Sequence, residues 1–505
     1  MFSIIQKSKS TLFWEQVAIG VLLVMGFVLR LRQYLTGRSL WLDEAMLALN
    51  IVDRSFAGQF QPLDYDQGAP IGFLLVEKVL NLLFGDHEFI LRLFPFMAGV
   101  AALVLFYFLL RQTTTRIGLL AGLALFALGP ELIYYSSEVK QYIVDVGVTI
   151  TLLLLAMPLL EGRAEKKNYT YLGLAGVFSL WFSHPALFIL AGLGIGLIIQ
   201  AFEERSRSKM SMVLIVGLIW TANLGLLYFV SLRGLSQNTF LLDYWGENFM
   251  PIPPWSDWGW FSTVFSGLVQ NQLGVYAPAG LILVLLILGF ISLFNKHKTY
   301  GFALLTVFIL SLAASALRLY PLGGRLSLFL APLVVILIGQ SIEALQNFIR
   351  SPYRLGGVLA ILISLYLLYS PADEALHNFI NPKYFEHIRP SMSTLSENWE
   401  EGDTLFVSNG AVPAFRFYAD RYGLGDVDFQ TSQAADYSSP ESIVADLQAL
   451  DGNARVWVLI AHVYEKNDFN EKDFLLSTLD SIGEHKREFR SPGTSVYLNL
   501  YDLSP

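Results

Sequence analysis

From residue 13 to residue 370 the chain is a succession of apolar runs separated by short polar stretches. At about 1.5 Å rise per residue, most of these runs are long enough to cross the hydrocarbon core of a bilayer as helices. The pattern predicts spans near 13–34, 90–110, 117–133, 141–160, 169–183, 185–202, 211–232, 274–294, 300–318, 326–346 and 354–370, about eleven crossings in all. An odd number would put the two termini on opposite sides. The first run is too long for a signal-peptide core and lacks a small-residue cleavage site, so a retained anchor is expected. Beyond residue 370 the pattern changes to short apolar runs interleaved with charge. Strands are predicted near Thr404–Ser408, Arg455–Ile460, Lys486–Arg490 and Ser495–Leu500. They alternate with helices near 411–421, 441–450 and 471–482, which favours a small α/β domain. The expected architecture is a polytopic α-helical membrane protein over 1–370, with external loops 35–89 and 233–272, followed by a soluble α/β domain over 371–505.

One apolar stretch, 70–84, is short and carries Glu77 and Lys78 near its middle, and its status decides the topology of everything after it. If it does not cross, five basic loops share one side: Arg111 with Arg116, Arg163 with Lys166 and Lys167, Arg205 with Arg207 and Lys209, Lys296 with Lys298, and Arg350 with Arg354. The positive-inside rule makes that side cytoplasmic. A crossing would put all of them outside, a worse fit than accepting Arg30, Arg32 and Arg38 at the outer end of the first span. A helix lying along or dipping into the outer surface is therefore expected for 70–84.

Composition agrees with a membrane protein: 54% of the 505 residues are hydrophobic, 15% are charged, and the mean hydropathy is +0.50. Membrane lipids are thus a partner by composition. A net charge of −8 with no basic tract excludes nucleic acid, whose phosphate backbone requires clustered Lys and Arg. The absence of cysteine excludes disulfides, cysteine-ligated metals and thiol nucleophiles. No glycine-rich phosphate cradle precedes a helix of the C-terminal region, so no nucleotide site is expected there.

On the expected topology the ionisable residues near span ends gather on the external face. They include the adjacent acids Asp43 and Glu44, then Asp64 and Asp66, Arg92, the Tyr134–Tyr142 segment with Glu138 and Lys140, His184 and Arg325. Charge bordering a bilayer costs several kcal/mol by insertion scales, so such a cluster is a site hypothesis by default. The alternative for any single Arg or Lys is snorkelling to the headgroups.

Five short stretches occur in order. Trp41-Leu42-Asp43-Glu44 follows the first span. Gln67-Gly68-Ala69-Pro70 is followed by Leu83-Phe84-Gly85-Asp86-His87-Glu88-Phe89-Ile90-Leu91-Arg92-Leu93-Phe94-Pro95. Tyr134-Tyr135-Ser136-Ser137-Glu138-Val139-Lys140-Gln141-Tyr142 and Tyr320-Pro321-Leu322-Gly323-Gly324-Arg325 complete the set. Together they resemble GT-C-type membrane glycosyltransferases, and within these the protein O-mannosyltransferase-like group, glycosyltransferase family 39, over about residues 10–370. Lys140 stands where that group more often has Arg.

The resemblance implies transfer of a hexose or pentose from a polyprenyl-phosphate donor on the non-cytoplasmic face of the inner membrane, with no cofactor and no dependence on metal. It also implies that Asp43 is the general base, as the first acid of the family's pair. The chemistry is consistent: an attacking acceptor hydroxyl must lose a proton, while the departing phosphate carries away negative charge. Neighbouring residues of a helix point about 100° apart, so Glu44 is expected to orient the acceptor or hold the neighbours of Asp43. A favourable helix-start charge is the plain alternative for the pair. Arg92, Lys140 and Arg325 are the candidates for gripping the donor phosphate, Arg by a planar fork and Lys as a point charge. Glu138 would pair with one of them, with Tyr142 in support. One base without an opposed carboxylate fits a single displacement with inversion.

His184 either touches donor, acceptor or a metal, or caps a helix end. Asp43, Asp64 and Asp66 offer oxygen ligands in principle, yet no metal motif is present and none is expected. Tyr244, Trp245, Trp255, Trp258 and Trp260 in the loop 233–272 either border an acceptor entrance or form an interfacial aromatic belt. The C-terminal domain either recognises the acceptor or covers the site. The acceptor could be protein, a lipid A-like glycolipid as in lipopolysaccharide modification, or a growing polysaccharide. Two rivals belong to other classes: a non-catalytic subunit of cell-envelope polysaccharide assembly, and a transporter. No paired repeat supports transport, and the charges sit at span ends rather than at the midplane.

Overall fold

The computed structural model describes residues 2–163, 165–348, 355–432, 440–466, 469–491 and 493–505. The chain divides into two compact units. One comprises residues 1–35, 56–83 and 92–382; the other comprises 36–55, 84–91 and 383–505.

The first unit is helical and makes this a multi-pass integral membrane protein. Among the described residues nine helices are long and apolar enough to span a bilayer, from Phe13–Tyr34 to Leu355–Ile380. A tenth span arises if Arg116–Leu128 and Pro130–Ser137, bent by 56°, are counted as one. The bend has a local cause. Pro130 lacks an N–H and disfavours helical ψ at the residue before it, and Gly129 accordingly adopts ψ 118°. Helix Lys166–Phe182, where a further span is expected, has 17 residues, opens on Lys-Lys-Asn-Tyr-Thr and is not among these spans. The last span runs to Ile380, past the expected end at 370, because Pro371 is accommodated inside the helix. The basic residues Arg350 and Arg354 lie outside the described residues.

The stretch 70–84 is a helix, Ile71–Phe84, of 14 residues. At about 21 Å it is too short to cross. Leu82, Leu83 and Phe84 at its end are exposed, whereas Glu77 is enclosed with neither carboxylate oxygen partnered among the described residues. Burial pushes that carboxyl well above the usual carboxylate range.

Arg30, buried within the first span, is explained by its partners. Its guanidinium donates to the Gly26 carbonyl at 3.0 Å, to Ala127 at 3.2 Å and to Phe126 at 3.2 Å. The last two are orphan carbonyls at the end of Arg116–Leu128, so Arg30 acts as the cap of a neighbouring helix. It therefore weighs less against the expected orientation than a solvated arginine would.

The second unit holds a mixed sheet. Its strands are β1 (Thr404–Val407), β2 (Phe429–Gln430), β3 (Val456–Ile460), β4 (Glu465–Lys466), β5 (Phe469–Asn470), β6 (Glu484–Arg490) and β7 (Tyr497–Asp502). The five-stranded sheet has the order β2-β1-β3-β7-β6, and β4 and β5 form a separate ladder. β1 is parallel to β2 and β3; β7 is antiparallel to β3 and β6. The central strand β3, Val-Trp-Val-Leu-Ile, is buried along its whole length, as a strand covered on both faces requires. Phe406, Val456, Val458, Leu447, Leu475 and Leu479 form its core. The edge strand β6 is nearly all charged and exposed, which discourages pairing with a foreign strand.

This unit also incorporates two pieces of the segment that follows the first long span, 36–55 and 84–91. Helix Leu42–Asp53 packs on helix Val412–Tyr418. The Leu40 N–H donates to the Tyr418 hydroxyl at 2.9 Å, and that hydroxyl donates to Glu88 at 2.7 Å. Arg421 donates to the Asp86 carbonyl at 2.7 Å and pairs with Glu88 at 3.5 Å.

Asp403 anchors the start of the sheet. Its carboxylate accepts from Arg455 at 2.7 Å, from the Trp457 indole at 2.8 Å and from the Glu400 N–H at 3.0 Å. Burial alone would raise this carboxyl, but these bonds outweigh it and hold it below the usual range. The stability it contributes is present above its unfolded pKa and lost as pH falls through the lower folded value. Asp403→Asn is expected to cost the sheet about 2 kcal/mol at neutral pH and to remove that acid-dependent loss. Amide exchange of β1 and β3 in the full chain, from neutral to acid pH, measures both.

Candidate active site

Asp43 and Glu44 are the second and third residues of helix Leu42–Asp53, with extended Trp41 at the N-cap. Acids in a first turn suit the positive helix end, so the pair helps start its helix. Their environments differ: Glu44 is fully buried, whereas Asp43 keeps partial exposure. Of the two, Asp43 keeps the greater exposure, although its Oδ2 is enclosed.

The cationic candidates lie in the membrane unit, and two motifs meet there. The Lys140 ammonium donates to Gln67 Oε1 at 2.5 Å, and the Gln141 amide donates to the Gly68 carbonyl at 3.4 Å. The Tyr134–Tyr142 segment is thereby docked on Gln67-Gly68-Ala69-Pro70. Lys140, Glu138 and Tyr142 are all buried. Arg325 stands over two rings, 5.5 Å from the Tyr142 centroid and 5.7 Å from that of Trp245. Tyr135 packs edge-on against Tyr142 at 5.2 Å and lies within electrostatic reach of Glu138, Glu131 and Arg325. Arg325, Glu138 and Tyr142 are thus brought together. Arg92, also buried, is the N-cap of helix Leu93–Thr113, beside Tyr34.

The glycines before Arg325 explain how it is presented. Gly324 has φ +48°, the left-handed region that favours glycine. A Cβ on Gly323 would collide with the side chain of Asn248, whose carbonyl accepts from the Leu322 N–H at 2.9 Å. Loop 245–248 therefore lies directly on the Gly-Gly-Arg turn and delivers Trp245. The sequence pattern gave Trp245 two open readings, acceptor entrance or aromatic belt. The structure makes it a wall for an arginine, while Tyr244, Trp255 and Trp258 stay exposed.

His184 keeps an enclosed Nε2 with no partner among the described residues. Burial holds it down to about 4, so the imidazole is neutral at physiological pH and supplies no positive charge to a phosphate. Asp145, one helical turn beyond Tyr142, is a buried acid in an apolar span, with the Ser183 side chain beside it. A carboxyl within a bilayer helix is itself a site signal, and pattern reading passed over it. Among the described residues no group of three or more His, Asp or Glu is placed to hold a metal. Asp66, in a left-handed turn, instead accepts from Asn238 at 2.8 Å.

With this geometry in hand, comparison with solved structures decides the fold. The chain is similar to ArnT from Cupriavidus metallidurans in the apo state, with TM-score 0.54 and 13% identity over 97% of this chain and 98% of that one. ArnT bound to undecaprenyl phosphate gives 0.53 at 13% identity and the same coverage. The fold is GT-C-like. An oligosaccharyltransferase from Archaeoglobus fulgidus gives 0.51 at 11% identity, over 89% of this chain and 70% of that one. No family model matches the sequence, and no curated protein is similar to it by sequence.

Proposed function

We propose that the protein is a glycosyltransferase that moves a sugar from a polyprenyl-phosphate donor to an acceptor hydroxyl on the non-cytoplasmic face of the inner membrane. The observation that carries this reading is Arg325 held over Tyr142 and Trp245, with Glu138 near, in a fold shared with a protein captured on undecaprenyl phosphate. A guanidinium fixed by two rings presents its N–H fork to phosphate oxygens at little entropic cost.

In this mechanism Arg325 and Lys140 bind the donor phosphate, Arg92 adds positive charge, and Glu138 balances them when the donor is absent. Asp43 takes the proton of the acceptor hydroxyl as its oxygen forms the new bond to C1. The C1–phosphate oxygen bond breaks, and its electron pair leaves with polyprenyl phosphate. Phosphate is a good leaving group, so no general acid is required, and a single displacement inverts the anomeric centre. Glu44, fully buried, holds the helix rather than the substrate. A transfer of the protein O-mannosyltransferase type, with a protein acceptor, is the reading the motifs favour.

The test is a panel of polyprenyl-phosphate hexoses and pentoses offered to the purified protein in bilayer discs. One donor is expected to be consumed with release of polyprenyl phosphate, and the same donor to raise thermal stability by about 3 kcal/mol near one hundred times its Kd. A panel in which no donor is consumed and none protects would overturn the reading.

A further inference from the structure

We propose that Glu386, seated by His462, is a positioning residue that fixes the helix carrying Asp43; this rests on the reading of Asp43 as the base. A helix leaves its first N–H groups without intrahelical partners. The Trp41 side chain makes no cap bond. The acceptor comes from far along the chain, where Glu386 Oε2 receives the Leu42 N–H at 3.0 Å. Leu42 is the residue immediately before Asp43.

The Glu386 side chain is only 5% exposed, and its second oxygen lies 2.7 Å from His462 Nδ1. An ionised carboxylate has no proton to give, so the bond requires N–H on Nδ1. His462 stands two residues beyond the core strand β3, in a left-handed conformation at φ +52°. The Trp41 ring lies 6.0 Å from His462 and 5.1 Å from Phe385, so the residue that starts the acid helix packs against one member of the pair and the chain neighbour of the other. Just before it, the Ser39 hydroxyl meets His387 Nδ1 at 2.8 Å and accepts the Arg389 N–H at 3.2 Å. The line from β3 through His462 and Glu386 to Leu42 thus ties the acid helix to the rigid part of its unit. A base needs placement within about 0.5 Å of its productive position, which a surface loop alone does not give.

The experiment compares Glu386→Leu, Glu386→Gln and His462→Ala in the full chain in bilayer discs. Glutamine keeps a carbonyl acceptor for Leu42 and is expected to stay within about threefold of wild type, whereas leucine is expected to lower kcat by about 10- to 100-fold through displacement of the base. Binding of undecaprenyl phosphate, read by thermal shift, is expected to be unchanged. Amides 42–45 are expected to lose exchange protection in Glu386→Leu while those of β3 keep it. His462→Ala, a change at a partly exposed side chain, is expected to shift the same readouts by less, and the double variant to be no worse than Glu386→Leu alone.

Wild-type turnover in Glu386→Leu, equal losses in the Leu and Gln variants, or additive effects of Glu386→Leu and His462→Ala would each overturn the proposal. So would loss of β3 protection together with activity, which would make Glu386 a folding residue. Asp43→Asn separates the two claims. If that variant still turns over, the base assignment fails, and exchange at 42–45 alone decides whether Glu386 seats the helix.

Discussion

Asp43→Asn is expected to lower the rate of sugar transfer by about 10²- to 10⁴-fold, the range that general-base catalysis supplies, while leaving the affinity for polyprenyl phosphate unchanged. Asparagine matches aspartate in shape and still accepts hydrogen bonds, so helix Leu42–Asp53 should form as before. What it cannot do is take a proton. The loss should therefore fall on kcat and not on donor binding, the signature of an interaction made only in the transition state. Glu44→Gln supplies the contrast. Glu44 is fully buried, so its replacement should act first on the stability of the helix and only through that on rate. Turnover with a labelled polyprenyl-phosphate sugar, set beside thermal shift with undecaprenyl phosphate, distinguishes the two. Equal kcat in Asp43→Asn and wild type would remove Asp43 from the chemistry.

Much of this arrangement is written in the sequence, and the parts that are not share a cause. Runs of apolar residues set most of the spans, because length and composition alone decide whether a helix suits a bilayer. Short apolar runs bounded by turns marked β1, β3 and β7 for the same kind of local reason, whereas β6 is nearly all charged. The two-residue strand β2 carries no pattern of its own and exists because β1 offers it an edge. The grouping of 36–55 with 383–505 was equally invisible. It depends on single long-range bonds such as Leu40 to Tyr418 and Leu42 to Glu386, which leave no period in the chain. Among the site residues, Asp43 and Arg325 stood out by motif. Trp245 and Asp145 did not, the first because aromatic residues crowd membrane interfaces for other reasons, the second because one acid hardly lowers the hydropathy of a long apolar run.

The second large effect is expected at Arg325. Arg325→Ala removes a charge-assisted contact worth about 1.5–3 kcal/mol, and kcat/KM for the donor should fall by roughly 10- to 150-fold. Arg325→Lys is the more informative change. Lysine keeps the charge but loses both the planar fork and the broad contact with the Tyr142 and Trp245 rings, so a recovery of less than half of that free energy is expected. Trp245→Ala should weaken donor binding by about 0.5–2 kcal/mol, the usual worth of one cation–ring contact. Because Trp245 acts only by holding the guanidinium, the Trp245→Ala effect should vanish once Arg325 is already alanine. Donor titrations on the four members of that cycle, followed by thermal shift with undecaprenyl phosphate, give the coupling directly. Full rescue by lysine would mean that charge alone matters at this position, and additive losses would mean that Trp245 meets the ligand independently of Arg325.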